Sequence, residues 1–453
     1  MIHITDEHVG LRSPHDGEQP TRALVIHPWV KKNAHKTAYD DKARSPAARL
    51  EEAVGLAMAI NITVERAELV ALAPARPATL LGKGKVAEMG SYIAEHSIDL
   101  VIMDAELSPV QQRNLEREWK TKVIDRTGLI LEIFGERAAT KEGELQVELA
   151  HLNYQKSRLV RSWTHLERQR GGFGFIGGPG ETQIEADRRI ITDRIAQIKR
   201  QLETVTRTRE LHRTRRQKAP YPVVALVGYT NAGKSTLFNR LTHSDVLAAD
   251  MLFATLDPTM RSIDLVTGRK VILSDTVGFI SDLPTHLIAA FRATLEEVIS
   301  ADLIVHVRDV AHPDSEAQKA DVLHVLADLG VKPGEVAGPM MIEALNKIDL
   351  LPDDERDALV NLSQKSPHDV PVSALSGAGL DELMERIDQC VGADDSVHDL
   401  IIEPWRGGDL SWLHRHGEVL AQSADDEGRT HVKVRIDPVS HAKFLAQQGG
   451  DQS

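Results

Sequence analysis

The sequence predicts an α/β protein with an N-terminal α/β domain, an antiparallel helical hairpin, a larger α/β domain with a mostly parallel sheet, and a small α+β domain at the C-terminus. Short apolar runs alternate with helical patterns in the first and third of these regions, as is typical of parallel sheets covered by helices. Between them, a glycine-rich stretch interrupts two long helical patterns. With 453 residues, the chain is also too long for a single core.

The domain boundaries are predicted where composition and periodicity change. A basic stretch ending at Pro220 and Pro222, for example, separates the hairpin from the larger α/β domain. The predicted units are a flexible tail at 1–21, the N-terminal domain at 22–140, the hairpin at 141–218, the larger α/β domain at 221–392 and the C-terminal α+β domain at 397–446.

In the N-terminal domain, Ser45-Pro46 and Ser108-Pro109 mark helix starts, because serine caps a helix and proline fits its first turn. The turn Leu81–Lys85 has two interpretations, a surface turn or a contact to nucleotide or RNA. The predicted strands are Ala23–Ile26, Leu69–Ala73, Leu100–Asp104 and Val123–Ile124, and the predicted helices are Ser45–Ile60, Val86–His96 and Ser108–Trp119.

Two helices with apolar seams predict the hairpin. Apolar residues recur at steps of three or four, with one position of each seam interrupted by a basic residue, Lys156 in the first and Arg188 in the second. The seam residues are Leu145, Leu149, Leu152, Leu159, Trp163 and Leu166, and then Ile184, Ile191, Ile195, Ile198, Leu202 and Val205. Between them, residues 170–180 include six glycines and one proline, a composition that no helix tolerates. The simplest geometry is an antiparallel pair with a flexible tip.

The hairpin is the basic part of an acidic protein. Residues 151–218 hold 16 Lys and Arg against 7 Asp and Glu, a net charge of +9, whereas the whole chain carries −13 and the remainder therefore −22. Arginines and phenylalanines around a glycine-rich tip suit looped RNA, since cations bind phosphates and rings stack on bases. The alternative is a solvated helix pair. The predicted RNA-contacting residues are Arg168, Arg170, Gly171, Gly172, Phe173, Gly174, Phe175, Arg188 and Arg189.

A phosphate-binding loop is predicted where the apolar run 223–227 meets the motif G-x-x-x-x-G-K-S at Gly228–Ser235. The glycines allow backbone N–H groups to face phosphate oxygens, and the following helix adds its positive dipole. Lys234 can reach the β- and γ-phosphates, and the Ser235 hydroxyl can bind Mg²⁺. The third domain is therefore predicted to be a P-loop nucleotide-binding domain.

Two further segments have the features of nucleotide-sensing switches. The loop 250–259 offers Thr255, with Thr259 as the alternative, to complete the Mg²⁺ shell and sense the γ-phosphate. Asp275, at the end of an apolar run, would hold Mg²⁺, and the Gly278 amide would bind the γ-phosphate. The next residue is Phe279, where many GTPases carry a water-orienting glutamine, so we expect weak intrinsic hydrolysis that a partner completes.

Guanine is the predicted base. The Asp349 carboxylate, in the sequence Asn346-Lys347-Ile348-Asp349, can accept hydrogen bonds from guanine N1–H and N2–H₂, a donor pair that adenine lacks. The predicted nucleotide-binding residues are Gly228, Tyr229, Thr230, Asn231, Ala232, Gly233, Lys234, Ser235, Thr236, Phe253, Ala254, Thr255, Asp275, Thr276, Val277, Gly278, Asn346, Lys347, Asp349, Ser373, Ala374 and Leu375.

Asn231 adds a hypothesis about a second cation. In potassium-stimulated GTPases, an asparagine at this loop position helps to hold a monovalent cation against the phosphates. K⁺ is therefore a candidate cofactor beside Mg²⁺, and a loop-stabilising asparagine is the alternative.

The composition limits the cellular compartments in which we expect the protein. The single cysteine, Cys390, excludes an internal disulfide and a cysteine metal site. There is no apolar run of membrane-spanning length and no signal-peptide core at the N-terminus, so we expect a cytoplasmic protein without membrane insertion, in part peripheral to a membrane.

Three stretches together resemble the HflX family of translational GTPases. They are DMLFATLDPT at 250–259, DTVGFI at 275–280 and, most specifically, RLVRSWTHLERQRGGFGFIGGPGETQIEADRR at 158–189. The resemblance covers roughly residues 22–440. It implies a GTPase that binds the large (50S) ribosomal subunit and splits 70S ribosomes or rescues stalled ones, notably under stress, with hydrolysis stimulated by the ribosome.

The resemblance also implies residue roles. A hydrophobic residue at the glutamine position, here Phe279, is a family trait, and the hairpin tip, here Gly171–Gly180, would approach 23S rRNA near the peptidyl-transferase centre. Some members are reported to bind ATP through the N-terminal domain, but residues 22–140 show no adenine-specific pattern.

Two other functions fit parts of the sequence. One is a regulatory GTPase switch that binds a protein effector, which predicts little RNA affinity. The other is an ATP-driven RNA remodeller that uses the N-terminal domain, which predicts ATPase activity without Lys234. We expect a monomer, because the hairpin seam can satisfy itself.

Overall fold

The computed structural model describes residues 20–30, 44–72, 75–169, 179–216, 221–244, 253, 259–281, 295–333, 338–393, 395–425, 427–436 and 438–449. Within these residues the fold is the predicted mixture of α/β layers and long helices. None of the helices in these ranges is both long and apolar enough to cross a membrane.

The N-terminal region forms a four-stranded parallel sheet in the order β2-β1-β3-β4. Its strands are β1 (Arg22–Val30), β2 (Thr63–Leu72), β3 (Leu100–Met103) and β4 (Lys122–Asp125). Its helices are α1 (Pro46–Met58), α2 (Lys83–His96), α3 (Pro109–Trp119) and α4 (Arg126–Arg137). Ser45 and Ser108 cap α1 and α3 as predicted.

Helix α4 is absent from the sequence-based prediction. Nearly all of its residues from Arg126 to Phe134 are buried, so it lacks the alternation of apolar and polar faces that marks a surface helix. The predicted turn at 81–85 is shorter than expected, because α2 begins at Lys83 rather than at Val86. Lys85, in the first turn of that helix, forms ion pairs with Glu68 and Glu88.

Two long helices, α5 (Lys141–Gln169) and α6 (Pro179–Arg216), form the antiparallel hairpin. An ion pair of 2.6 Å between Arg194 Nε and Glu148 Oε1 joins them, and the seam residues Leu145, Ile195 and Ile198 are buried. The prediction missed a second apolar face of α5, where Val147 and Ala150 pack into the core of the N-terminal domain. The hairpin is therefore anchored at its base on that domain.

The nucleotide-binding region, here called the G domain, has a six-stranded sheet in the order β10-β9-β8-β5-β7-β6, parallel except for the β6–β7 pair. Its strands are β5 (Val223–Gly228), β6 (Thr259–Asp264), β7 (Lys270–Asp275), β8 (Leu303–Asp309), β9 (Met340–Asn346) and β10 (Asp369–Pro371). Its helices are α7 (Lys234–Thr242), α8 (Glu296–Ile299), α9 (Ser315–Asp328), α10 (Asp353–Ser363) and α11 (Leu380–Val391), with a 3₁₀ turn at Ile348–Leu350.

The C-terminal region is a three-stranded antiparallel sheet in the order β11-β13-β12 with two helices. Its core contains Leu413, Val434 and Phe444. The elements are β11 (Ser396–Ile402), α12 (Gly407–His416), β12 (Glu418–Ala424), β13 (Thr430–Ile436) and α13 (Pro438–Gly449).

One apolar cluster joins the N-terminal and G domains. Residues of α1 and α4 share it with Tyr229, Phe253 and Phe279, and the rings of Phe134 and Phe253 meet edge to face at 4.8 Å. The phosphate-binding loop therefore lies close to a domain interface.

Candidate nucleotide-binding site

The phosphate-binding loop joins β5 to α7, and both of its motif glycines are required by the backbone. Gly228 has φ +156°, and a Cβ there would lie 2.2 Å from the Val307 carbonyl oxygen. Gly233 has φ +93°, and its Cβ would lie 2.3 Å from Asn346 Nδ2. No other residue fits at either position without movement of a neighbouring strand or of Asn346.

Lys234 begins α7 and turns back over the loop. Its Nζ donates to the carbonyl oxygens of Gly228 at 3.1 Å and Tyr229 at 2.8 Å. Burial lowers the pKa of Lys234 to about 8, although the nearby Asp275 carboxylate opposes this shift. A buried cation whose hydrogen bonds go to neutral carbonyl oxygens is well suited to bind an anion.

Two oxygen ligands of the predicted Mg²⁺ site are adjacent. Ser235 Oγ donates to Asp275 Oδ2 at 2.7 Å, and Asp275 at the end of β7 is fully buried. A hydroxyl and a carboxylate at the phosphate-binding loop are the hard ligands that Mg²⁺ uses beside substrate phosphates, so the donor set fits the ion.

The segment after Asp275 packs tightly on the loop. A Cβ at Gly278 would lie 3.1 Å from Lys234 Nζ, so this glycine is in close contact with the predicted γ-phosphate-binding group. Phe279 accepts from Thr230 N–H at 2.8 Å and donates to the Gly228 carbonyl at 3.1 Å, in the manner of a short parallel strand.

The Phe279 side chain is 1% exposed and packs in the core shared with the N-terminal domain. It therefore replaces the expected glutamine by a core residue that faces away from solvent. Three other predicted nucleotide-binding residues have similar positions. Phe253 and Val277 lie in the same core, and the buried Thr276 donates its hydroxyl to the Leu226 carbonyl at 2.6 Å, so these side chains are occupied in packing.

The base-binding loops are connected through Asn346. Its Nδ2 donates to the Ala232 carbonyl at 2.8 Å, and its Oδ1 accepts from the Ala374 N–H at 2.9 Å. Lys347 Nζ lies 2.8 Å from Asp309 Oδ2. Asp349 and Leu375 are exposed, so the loops leave these two residues accessible to a ligand.

Some of the other predicted residues lie within the described part of the chain and some lie outside it. Asn231 is exposed with φ +59° in the phosphate-binding loop, and Arg188 and Arg189 are exposed on α6. Arg168 lies in α5, and Thr259 is the first residue of β6. Ala254, Thr255, Arg170, Gly171, Gly172, Phe173, Gly174 and Phe175 lie outside the described residues.

Sequence reasoning missed the residues of the N-terminal domain that contact this site. Tyr229 Oη donates to Glu52 at 2.5 Å across a separation of 177 residues, and Arg126 donates to the Ser281 carbonyl at 3.0 Å. No sequence pattern near Glu52 or Arg126 predicts these contacts, because a charged residue in a helix is ordinarily predicted to face solvent.

Three family models match the chain in succession. Residues 47–135 match the model described as GTP-binding GTPase N-terminal. Residues 137–216 match GTP-binding GTPase Middle Region, and residues 223–347 match 50S ribosome-binding GTPase.

Curated relatives extend over most of the chain. A protein of Magnetococcus marinus named GTPase HflX is 48% identical over 389 residues, which are 86% of this chain and 88% of that protein. GTPase HflX of Escherichia coli is 44% identical over 372 residues, which are 82% of this chain and 86% of that protein. A solved structure of a GTP-binding protein from Sulfolobus solfataricus in complex with GDP is 25% identical with a TM-score of 0.42, over 83% of this chain and 99% of that chain.

Proposed function

The chain belongs to the HflX family of GTPases, and we propose that it binds the large ribosomal subunit and splits or rescues ribosomes in a GTP-dependent manner, notably under stress. Binding of GTP and GDP and Mg²⁺-dependent hydrolysis of GTP follow from the family. The ribosome as the partner of the protein and the cytoplasm as its compartment are part of this proposal.

The observation that carries this proposal is the position of the basic hairpin. Helices α5 and α6 form a pair anchored on the N-terminal domain, and the region 151–218 has a net charge of +9 in a chain of −13. Exposed Arg188 and Arg189 on α6 can contact rRNA phosphates. The family relationship adds weight, since one matching family model is described as a 50S ribosome-binding GTPase.

For hydrolysis, we propose that Lys234 binds the β- and γ-phosphates, that Gly278 N–H binds the γ-phosphate, and that Asp349 selects guanine. Ser235 and Asp275 would hold Mg²⁺, with Thr255 or Thr259 completing its shell, and the ion would neutralise charge that develops on the phosphates. Phe279 cannot orient the attacking water by hydrogen bonding. Intrinsic turnover is therefore weak, and the ribosome supplies the missing group.

Asn231 supports a second proposal, that K⁺ assists hydrolysis by lying against the phosphates. Its exposure within the phosphate-binding loop leaves the side chain accessible to such an ion. GTP turnover should be higher in K⁺ than in Na⁺ at equal ionic strength, and Asn231→Ala should remove the difference. Equal turnover of the unaltered protein in the two salts would refute the proposal.

The ribosome proposal is tested by co-sedimentation with 50S subunits in the presence of a GTP analogue, GDP or no nucleotide. We expect the most binding with the analogue, and ribosome-stimulated turnover that is lost when Gly171–Gly180 are deleted while GTP affinity is kept. The pair Arg188→Glu and Arg189→Glu should weaken binding, whereas the charge-matched pair Arg356→Glu and Lys365→Glu in the G domain should not.

The other functions give different results in the same experiments. A switch for a protein effector would show no 50S binding in any nucleotide state and only a shallow dependence of RNA affinity on salt. An ATP-driven RNA remodeller would retain ATPase activity after Lys234→Ala. Either result would replace the ribosome proposal.

A further inference from the structure

A buried cluster of charged groups connects the N-terminal domain to the phosphate-binding loop. Glu52 on α1 lies at its centre, and its carboxylate accepts from Arg126 at 2.5 Å, from Tyr229 Oη at 2.5 Å and from Arg44. The side chains of Glu52, Arg44 and Arg126 are between 4% and 9% exposed. The cluster therefore lies inside the protein, where hydrogen bonds depend little on salt.

The hydroxyl of Tyr229 is the point of contact with the phosphate-binding loop. It donates to Glu52 and accepts from Arg44 Nη1 at 2.7 Å and from Ser281 N–H at 2.8 Å. One donor and two acceptor positions are all that a phenol offers, so these contacts saturate it. The carbonyl of the same residue accepts from Lys234 at 2.8 Å. Tyr229 therefore connects the cluster directly to Lys234, which is predicted to bind the γ-phosphate.

The second point of contact is Ser281, three residues after Gly278. Its carbonyl accepts from Arg126 Nη2 at 3.0 Å, and its hydroxyl lies 3.4 Å from Glu52 Oε1. Arg126 is held in turn by Asp104 at 2.5 Å. The N-terminal domain thus contacts both the phosphate-binding loop and the segment that carries Gly278, whose amide is predicted to bind the γ-phosphate.

The charges in this cluster are matched. Burial by itself raises the pKa of Glu52, but the charges of Arg126 and Arg44 lower it overall, so the carboxylate stays ionised. Burial, together with the Glu52 charge, raises the pKa of Tyr229, so the phenol keeps its proton and donates it. The hydrogen bonds described above therefore persist throughout the neutral pH range.

From this arrangement we infer that Glu52 and Arg126 are positioning residues for GTP hydrolysis, which act through Tyr229 and Ser281 to hold the Gly278 segment against the phosphate-binding loop. Because GDP lacks the γ-phosphate that Gly278 is proposed to bind, this positioning favours GTP over GDP. Without it, the γ-phosphate must order the segment at the moment of binding, and the affinity for GTP falls by that cost.

The test compares affinities of the full-length protein for a non-hydrolysable GTP analogue and for GDP, with Mg²⁺ present. Glu52→Gln keeps the shape of the side chain and removes its charge. We expect the analogue to bind about 10-fold more weakly while the GDP affinity changes less than about twofold. Glu65→Gln, in the surface ion pair with Arg22, is the matched control and should change neither affinity.

A second variant tests the same contact from the G-domain side. Tyr229→Phe removes the hydroxyl and keeps the buried ring, so it should also weaken analogue binding more than GDP binding. Glu52→Gln should then have little additional effect on the ratio, because both substitutions break one connection. If Glu52→Gln folds poorly, Tyr229→Phe against the unaltered protein tests the inference by itself.

Equal weakening of both nucleotides would overturn the inference, since it would show a general loss of structure. Unchanged affinities, tighter analogue binding or additive effects of the two substitutions would also overturn it. Loss of ribosome binding with an unchanged analogue-to-GDP ratio would likewise count against this inference, while leaving the ribosome proposal standing. Failure of 50S binding in the unaltered protein would reject the ribosome proposal alone.

Discussion

The carbonyl oxygen of Phe279 accepts a hydrogen bond of 2.8 Å from the backbone N–H of Thr230. This bond pairs the segment after Gly278 with the phosphate-binding loop, and it directs the Phe279 side chain into the core shared with the N-terminal domain. The residue that replaces the catalytic glutamine of other GTPases is therefore a structural residue in this protein.

Phe279→Gln should not raise intrinsic GTP turnover, because the new amide would lie in an apolar core away from the phosphates. We expect it to lower the free energy of unfolding by about 3 kcal/mol or more, since a buried aromatic group is lost and a polar group is buried without partners. Phe279→Leu should cost only about 1 kcal/mol. Turnover and chemical denaturation measure both effects, and faster turnover in the glutamine variant would contradict this account.

Gly233→Ala should abolish nucleotide binding. The new Cβ would lie 2.3 Å from Asn346 Nδ2 at a residue with φ +93°, so it would displace the side chain that joins the phosphate-binding and base-binding loops. Gly268→Ala is the control, because its φ of +82° imposes similar backbone strain but no atom lies within 4 Å of the Cβ position. That variant should cost about 1 kcal/mol of stability and retain GDP affinity, as titration calorimetry can measure.

Asp349→Asn should change the base that is recognised. The amide can donate to the O2 of xanthine but no longer accepts both guanine donors, so GTP affinity should fall about 100-fold or more and xanthosine triphosphate should become the better ligand. Asp354→Asn, a nearby exposed carboxylate in the first turn of α10, should leave both affinities unchanged. Competition binding with the two triphosphates decides the outcome, and an unaltered preference for GTP would exclude Asp349 as the base selector.

His306 in the centre of the G-domain sheet should make the fold sensitive to acid. Burial lowers its pKa from 6.5 to about 3, with Glu343 opposing the shift and Arg308, Lys319 and Lys234 adding to it. Between those two pH values the unfolded chain binds a proton that the folded protein does not. The contribution of neutral His306 to the free energy of unfolding is therefore fully present above pH 6.5. Below that pH the free energy of unfolding falls by up to about 1.4 kcal/mol per pH unit.

The comparison that isolates this histidine is His306→Leu against the unaltered protein. The variant should show a shallower loss of thermal stability between pH 6.5 and 4.5, because it removes the titrating group from the core. His324→Leu, at a side chain that is 79% exposed, should leave the slope unchanged. Parallel slopes for His306→Leu and the unaltered protein would show that other groups cause the acid sensitivity.

The sequence alone determined the fold class and the family. A phosphate-binding loop requires glycines, lysine and serine at fixed spacing, and guanine selection requires Asp349 in a particular loop, so these signals lie within short stretches of chain. The alternation of apolar runs likewise predicted the parallel sheets, since each strand must bury its side chains beneath neighbouring helices.

Only the tertiary structure decided which residues act on one another across long separations. Helix α4 was missed because it is buried on nearly all sides, and Glu52 was not recognised because its partner Tyr229 lies 177 residues away. Phe253, Thr276 and Val277 fall within sequence motifs of the nucleotide site, yet their side chains pack in the core or bond to a strand. Periodicity and motif spacing describe what a residue's neighbours along the chain require, whereas burial and pairing depend on segments that meet only when the domains pack together.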